Sequence, residues 1–201
     1  NTASNINEAP QKNHPALPTY PLSLAQMGIW LGQQLTPNSP HYNTAELIEF
    51  SSVEPQRLLN AINEVLKNCA PLNTRFFAID GQAEQTLIPP EEITTLYDAQ
   101  SQIQDSKHSA LSHAKQWAQE QLQRVIQLDK EPPYRSTLIK LGEDHYAWFL
   151  MIHHIACDGF SYSIIGQNVA AHYRDPQLPA KVQWQESEEG YKQLLKTDQQ
   201  Y

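Results

Sequence analysis

His153 and His154 stand side by side at the end of an apolar run, and Asp158-Gly159 follows at once, in the stretch HYAWFLMIHHIACDGFS from His145 to Ser161. Imidazole is the side chain best suited to moving a proton near neutral pH. In an extended strand successive side chains point to opposite faces, so a regular strand sends the two histidines to different sides. One then faces the core, and the other faces whatever lies across the strand end. If the chain turns after the strand, Asp158 folds back under the loop. There its carboxylate accepts a bond from an imidazole or pairs with an arginine and fixes the loop. Gly159 permits a tight turn and lets a ligand approach the backbone. On these residues alone two readings stay open: a satisfied, half-buried histidine pair at a strand end, or a general base aimed by a loop.

Other chemistry fits less well. His153, His154, Cys157 and Asp158 are all metal-ligand types, but this pattern lacks the helical His-x-x-x-His register and the paired cysteines of structural zinc sites, so no metal is expected. Cys157 as a nucleophile needs an activating histidine and an electropositive site. A small buried cysteine is the plainer reading.

The elements that must position these residues are readable from periodicity. Ser23 with Gln26 fits a capping box ahead of SLAQMGIWLGQQL, where Leu24, Met27, Trp30 or Leu31, and Leu35 recur at helical spacing. TAELIEF (44–50) alternates as a strand, and VEPQRLLNAINEVLKNC is an amphipathic helix with Pro55 near its start. LNTRFFAIDGQAEQTLI reads as a hairpin around Asp80-Gly81. A helix is expected over roughly 106–127, then two strands, YRSTLIKLG and HYAWFLMIHH. The second is almost wholly apolar and is expected to be covered on both faces. A helix, GFSYSIIGQNVAAHYR, leaves the histidine loop, and a last polar helix begins near Gln185. The mix has no regular βαβ rhythm, which points to an α/β sandwich with a mixed sheet.

Composition narrows the partners. The chain has 201 residues, 40 % of them hydrophobic, enough for one domain or two small lobes. Acidic residues outnumber basic ones 22 to 14, the net charge is −8, and no Lys/Arg block stands out. A grip on nucleic-acid phosphates is therefore not expected. Two cysteines do not make a disulfide framework, and a reducing cytoplasm is expected. The opening residues lack an apolar signal-peptide core. The apolar stretch Tyr146 to Ile152 is far too short to span a bilayer, so no membrane association is expected. The first residue is not Met and the last stretch is helix-like, so the chain is expected to be part of something longer.

HHIACDG (His153–Gly159) resembles the HHxxxDG motif of condensation domains from nonribosomal peptide synthetases. SLAQMGIWLG (Ser23–Gly32) resembles the family's opening SxAQxRLWxL motif, and LNTRF (Leu72–Phe76) the LRTxF end of its second motif. The three occur in family order and span roughly residues 20 to 175. There are departures. Gly28 stands where many members have Arg, Asn73 stands where LRTxF has Arg, and NCAP replaces the charged head of the second motif. Arg75 shares a face with position 73 if both lie in a strand, and becomes the expected partner of Asp158. The wording around AQMGIW and DGFS is similar to domains that open terminal modules of siderophore-type synthetases, enterobactin synthase being the familiar example.

The resemblance implies a chloramphenicol-acetyltransferase-like two-layer sandwich with a mixed sheet, one lobe of a two-lobed domain. Residues 1–20 would be a leader or linker, 21–180 the N-terminal lobe, and 181–201 the segment crossing to the C-terminal lobe. It implies amide formation between a donor acyl or peptidyl thioester and an acceptor aminoacyl thioester. Both ride on phosphopantetheine arms of carrier domains, and the lobe itself binds no cofactor. Upstream and downstream peptidyl carrier domains and an adenylation domain of the same chain are the implied partners. His154 is the implied catalytic group, as base or as stabiliser of the tetrahedral intermediate. His153, Asp158, Gly159 and Arg75 support it, and Gly159 and Ser161 are expected substrate contacts. Rivals are an acyl-CoA-dependent acyltransferase of the same fold, an epimerisation domain, and a degenerate condensation-like domain that only recruits partners.

Overall fold

Eight of the nine positions of His145–His153 are buried, which requires packing on both faces of that strand. The computed structural model, which describes residues 17–90, 94–99, 101, 109–177 and 184–198, shows how this is met. The elements run β1 (Thr19–Pro21), α1 (Leu24–Leu35), β2 (Asn43–Ser51), α2 (Pro55–Lys67), β3 (Thr74–Ile79), β4 (Gln82–Leu87), β5 (Thr95–Asp98), α3 (Ala110–Leu122), β6 (Tyr134–Lys140), β7 (His145–His153), α4 (Gly159–Arg174) and α5 (Trp184–Asp198), with a short 3₁₀ turn at Ala70–Asn73. β7 lies inside a four-stranded sheet ordered β2-β7-β6-β5. β2 and β6 flank it antiparallel, and β5 joins β6 in parallel, so the sheet is mixed.

The period-two alternation of β7 then divides the core. Tyr146, Trp148, Leu150 and Ile152 pack with Leu58, Ile62 and Leu66 of α2 and Tyr162, Ile165 and Val169 of α4. Ala147, Phe149 and Met151 pack with Trp30 of α1 and Ala114 and Ala118 of α3. Burial of each large side chain stabilises the fold by about 1.5–3 kcal/mol. The strand that carries the histidines is thus clamped between two helical layers.

A smaller sheet, β1-β4-β3, stands beside it. Its β3–β4 hairpin turns at Asp80 (φ 51°) and Gly81 (φ 81°). Two positive φ values in a row are what a two-residue hairpin of type I′ needs. Thr19 and Tyr20, assigned by sequence to the leader, pair with Thr86 and Gln85 of β4. Tyr191 and Leu195 of α5 pack against Ala70 and Leu87 beside this sheet.

The strands β1 and β5 have no counterpart in the sequence expectations, and three further elements differ from them. α1 buries Gln26, Trp30 and Gln33, while Leu24, Leu31 and Leu35 are exposed. The apolar stripe pointed to the wrong face because the buried one is polar and hydrogen-bonded. The third helix is described only from Ala110 and ends at Leu122; the earlier start falls partly outside the described residues. Asn73 closes the 3₁₀ turn, so strand alternation begins one residue later, at Thr74.

That placement explains Asn73. Its Nδ2 donates to the carbonyls of Leu66 (3.0 Å), Lys67 (3.3 Å) and Cys69 (2.8 Å), tying off the end of α2. Asn73→Ala removes three hydrogen bonds from the end of α2, although Leu66 O and Cys69 O keep backbone donors, an expected loss of about 1–3 kcal/mol. The check is the denaturant midpoint at unchanged slope.

Candidate active site

The end of β7 is pinned on both sides. The His153 N–H donates to Pro133 O and the His154 N–H to Tyr42 O, each at 2.8 Å, and Ala156 N–H returns to His153 O at 3.0 Å. Asn43 lies opposite His153 in the β2 register. The backbone of both histidines is therefore fixed by three neighbouring segments before either side chain is considered.

His153 turns inward, 2 % exposed. Its Nδ1 accepts the Ile155 N–H at 3.2 Å, and its Nε2 lies 3.3 Å from Gln33 Oε1. The Gln33 amide is oriented by three carbonyls, Thr36, Pro37 and Ser39, at 3.1–3.3 Å from its Nε2. Its oxygen must then face His153, so Nε2 of His153 carries the proton and Nδ1 does not. Burial, and secondarily the neighbouring His154, push this imidazole down to about 4. A buried ring that already spends both nitrogens is a brace. The Tyr42 ring packs on it with centroids 5.8 Å apart. Gly32 makes room for Tyr42: a Cβ there would sit 2.0 Å from the tyrosine hydroxyl.

His154 turns outward and is exposed. Its Nδ1 lies 2.7 Å from the Cys157 carbonyl oxygen. A carbonyl only accepts, so Nδ1 carries the proton and Nε2 holds the lone pair. The two adjacent rings are thus held in opposite tautomers, and only His154 offers a bare nitrogen to solvent.

Asp158 does not meet Arg75. It is the N-cap of α4, its Oδ1 accepting the Ser161 N–H at 3.0 Å and the Ser161 hydroxyl at 2.9 Å, while its own N–H donates to Ser161 Oγ at 3.3 Å. The expected Asp158–Arg75 pair is absent from the ion pairs of the described residues. Arg75 lies on β3 opposite Thr86. Its charge reaches Tyr134, whose hydroxyl is pushed up by burial, then by Cys69, with Arg75 offsetting part of that. Ser161, expected to touch substrate, spends its hydroxyl on the cap. Gly159 opens α4, and a Cβ there would meet nothing within 4 Å. Its φ is not in the left-handed region, so the turn itself does not require glycine.

Bonds from the Ser161 hydroxyl, then from its N–H, hold the Asp158 carboxyl below its ordinary 3.8. The cap is therefore fully formed above the ordinary value and is lost as pH falls through the depressed one. Asp158→Ala is expected to lower the melting temperature by about 2–4 °C, the effect of roughly 1 kcal/mol of lost capping in a chain of this size. Scanning calorimetry of the two proteins near neutral pH reads it.

Burial raises the Cys157 thiol to about 12 and the Cys69 thiol to about 11, so neither is a ready thiolate. Among the described residues no group of three His, Cys, Asp or Glu side chains is placed to hold a metal. No helix of the described residues is long and apolar enough to cross a membrane. Gln33, Tyr42, Gly32 and the Cys157 carbonyl escaped the sequence reading. Only Gln33 had a signal, its spacing with Gln26 and Trp30 on one helical face.

A family model for the condensation domain matches residues 17–201. The chain is 36 % identical over 156 residues to a dimodular nonribosomal peptide synthase of Bacillus subtilis (strain 168), covering 77 % of this chain and 6 % of that one. It is 34 % identical over 155 residues to an isonitrile lipopeptide synthase of Streptomyces coeruleorubidus, covering 76 % of this chain and 10 % of that one. The starter condensation domain of rhizomide synthetase RzmA superposes with a TM-score of 0.69 at 30 % identity, over 78 % of this chain and 37 % of that one. A mutant of the same domain in complex with C8-CoA superposes with a TM-score of 0.75 at 27 % identity, over 91 % and 41 %. The chain therefore spans a small part of those synthetases and well under half of the solved domain. With a family match that takes in all three motifs and both histidines, the chain belongs to the condensation domains of nonribosomal peptide synthetases.

Proposed function

We propose that the chain is the N-terminal, histidine-bearing lobe of a domain that joins a donor acyl or peptidyl thioester to the α-amine of an acceptor aminoacyl thioester. The observation that carries this is the exposed His154 ring, with its proton held on Nδ1 by the Cys157 carbonyl and its Nε2 bare. The acceptor nitrogen attacks the donor carbonyl carbon. A C–N bond forms and the C–S bond breaks. The proton leaving nitrogen passes to Nε2 of His154 and from there to the departing thiolate. Family membership supports phosphopantetheine arms of upstream and downstream carrier domains as the source of both substrates, beside an adenylation domain in a cytoplasmic synthetase. What this chain's residues do is hold the base: Gln33 and Ile155 lock His153, Tyr42 and Pro133 pin the backbone, and Asp158 and Ser161 start α4. Thioester aminolysis is downhill, so positioning and proton handling are the main contributions needed.

A second reading, acylation from a free acyl-CoA, is favoured by the C8-CoA complexes of the similar starter domain. The test is a complete condensation domain carrying this lobe, given an aminoacyl carrier as acceptor and two donors in parallel, acyl carrier and acyl-CoA. Amide product from the carrier donor supports the main reading. Product only from acyl-CoA supports the second, and product from neither sinks both.

A further inference from the structure

Gly166 sits in mid-helix in α4, where glycine costs about 1 kcal/mol relative to alanine. Neither crowding nor backbone conformation demands it. A Cβ at this position would meet nothing within 4 Å, and its φ is not in the left-handed region. What the missing side chain leaves is space: a cavity of about 360 Å³ between α4, α2 and the face of the main sheet. Phe50, Leu58 and Trp148 line it on one side, and Val169 and Tyr173 on the other. It has more than twice the volume of the ~150 Å³ apolar cavity that accepts a benzene ring.

One end of the cavity is cationic. Arg174, exposed at the last position of α4, lines it. Arg57 stacks 5.0 Å over the Tyr173 ring and donates Nη2 to Arg174 O at 2.8 Å, while its Nε is buried without a hydrogen-bond partner. Neither arginine takes part in an ion pair of the described residues. Glu54 and Asp175 are nearby in the chain but pair with neither; the Glu54 N–H donates instead to the Tyr173 hydroxyl at 2.9 Å. The site is separate from the histidine loop. Gly166 and Tyr173 lie seven and fourteen residues beyond Gly159, about 10 and 21 Å along the helix axis.

We propose that this cavity binds a free medium-chain carboxylate, its alkyl chain against Phe50, Trp148 and Val169 and its carboxylate at Arg174, with Arg57 adding charge from behind Tyr173 rather than from the lining. An arginine fork matches a carboxylate geometrically, and the apolar lining opened by the helical glycine matches an alkyl chain. The inference does not depend on the chemistry assigned to His154.

The experiment is calorimetric titration of the purified protein with sodium octanoate and, in parallel, with octanol. Octanoate is expected to bind saturably and more tightly than octanol. Gly166→Leu, which fills the space, is expected to weaken octanoate by roughly tenfold or more while the melting temperature holds or rises. Arg174→Gln is expected to weaken octanoate by about five- to tenfold and leave octanol unchanged. Absence of saturable octanoate binding overturns the proposal, as does binding that Gly166→Leu leaves intact. An Arg174→Gln variant that binds octanoate as well as wild type overturns the assigned headgroup site.

Discussion

His154→Ala is expected to cut amide formation by about 10²–10⁴-fold, the usual contribution of a positioned acid–base group. The same change is expected to leave the melting temperature nearly untouched. The side chain is exposed, and the ring's one hydrogen bond runs to the Cys157 carbonyl, which solvent can reach once the ring is gone. Surface substitutions of this kind normally stay within about 0.5 kcal/mol. The pairing of a large rate effect with a small stability effect is the signature that separates a base from a brace. His154→Gln sharpens it, because the amide fills similar space and cannot take the proton. Single-turnover aminolysis with carrier-bound substrates reads the rate, and near wild-type turnover in either variant removes His154 from the chemistry.

The second large effect belongs to His153 and is read in stability. In the unfolded chain its imidazole titrates near its ordinary value of 6.5, and in the fold it is pushed down to about 4 by burial first and by His154 second. Above the ordinary value both states carry a neutral ring, and His153 adds no pH dependence. Between 6.5 and about 4 the unfolded chain takes up a proton that the folded chain refuses, so stability falls as pH falls. The loss reaches on the order of 3 kcal/mol at the foot of that window and then saturates. The fold has a structural reason to refuse the proton: charging Nδ1 breaks the bond from the Ile155 N–H that shapes the loop. His153→Gln keeps one donor and one acceptor but cannot titrate. Between about pH 7 and about pH 4.5 the wild type is expected to lose more unfolding free energy than this variant, since carboxylates common to both cancel. Parallel curves would contradict the assignment.

Much of this was legible in the chain because the signals are local. The capping box at Ser23 and Gln26, the amphipathic run after Pro55, the Asp80-Gly81 turn and the apolar β7 each fix their own geometry within a few residues. That the two histidines point to different sides follows from strand alternation, but the exposure of His154 does not, because both faces of β7 are covered and the chain turns at His154. What failed was long-range or polar. β5 is short and is held by pairing with β6, about forty residues away in the chain, so its own composition says little. The polar face of α1 is buried because Gln26 meets Gln85, Tyr191 and the Ile155 carbonyl, partners from three distant segments. An apolar moment cannot see such a face. Pairing Arg75 with Asp158 requires residue 73 to lie in a strand. A 3₁₀ turn ends there instead, and the aspartate finds its partner three residues away in Ser161.

The adjacent histidines are held in opposite tautomers, so that one braces the loop and the other presents a bare Nε2. Long-range ¹H–¹⁵N correlation of the imidazole rings near neutral pH tests it directly, with His153→Gln and His154→Gln to assign the signals. The structure predicts a protonated Nε2 and bare Nδ1 for His153, and a protonated Nδ1 and bare Nε2 for His154. A His154 ring protonated at Nε2, with its lone pair on Nδ1, would contradict the account.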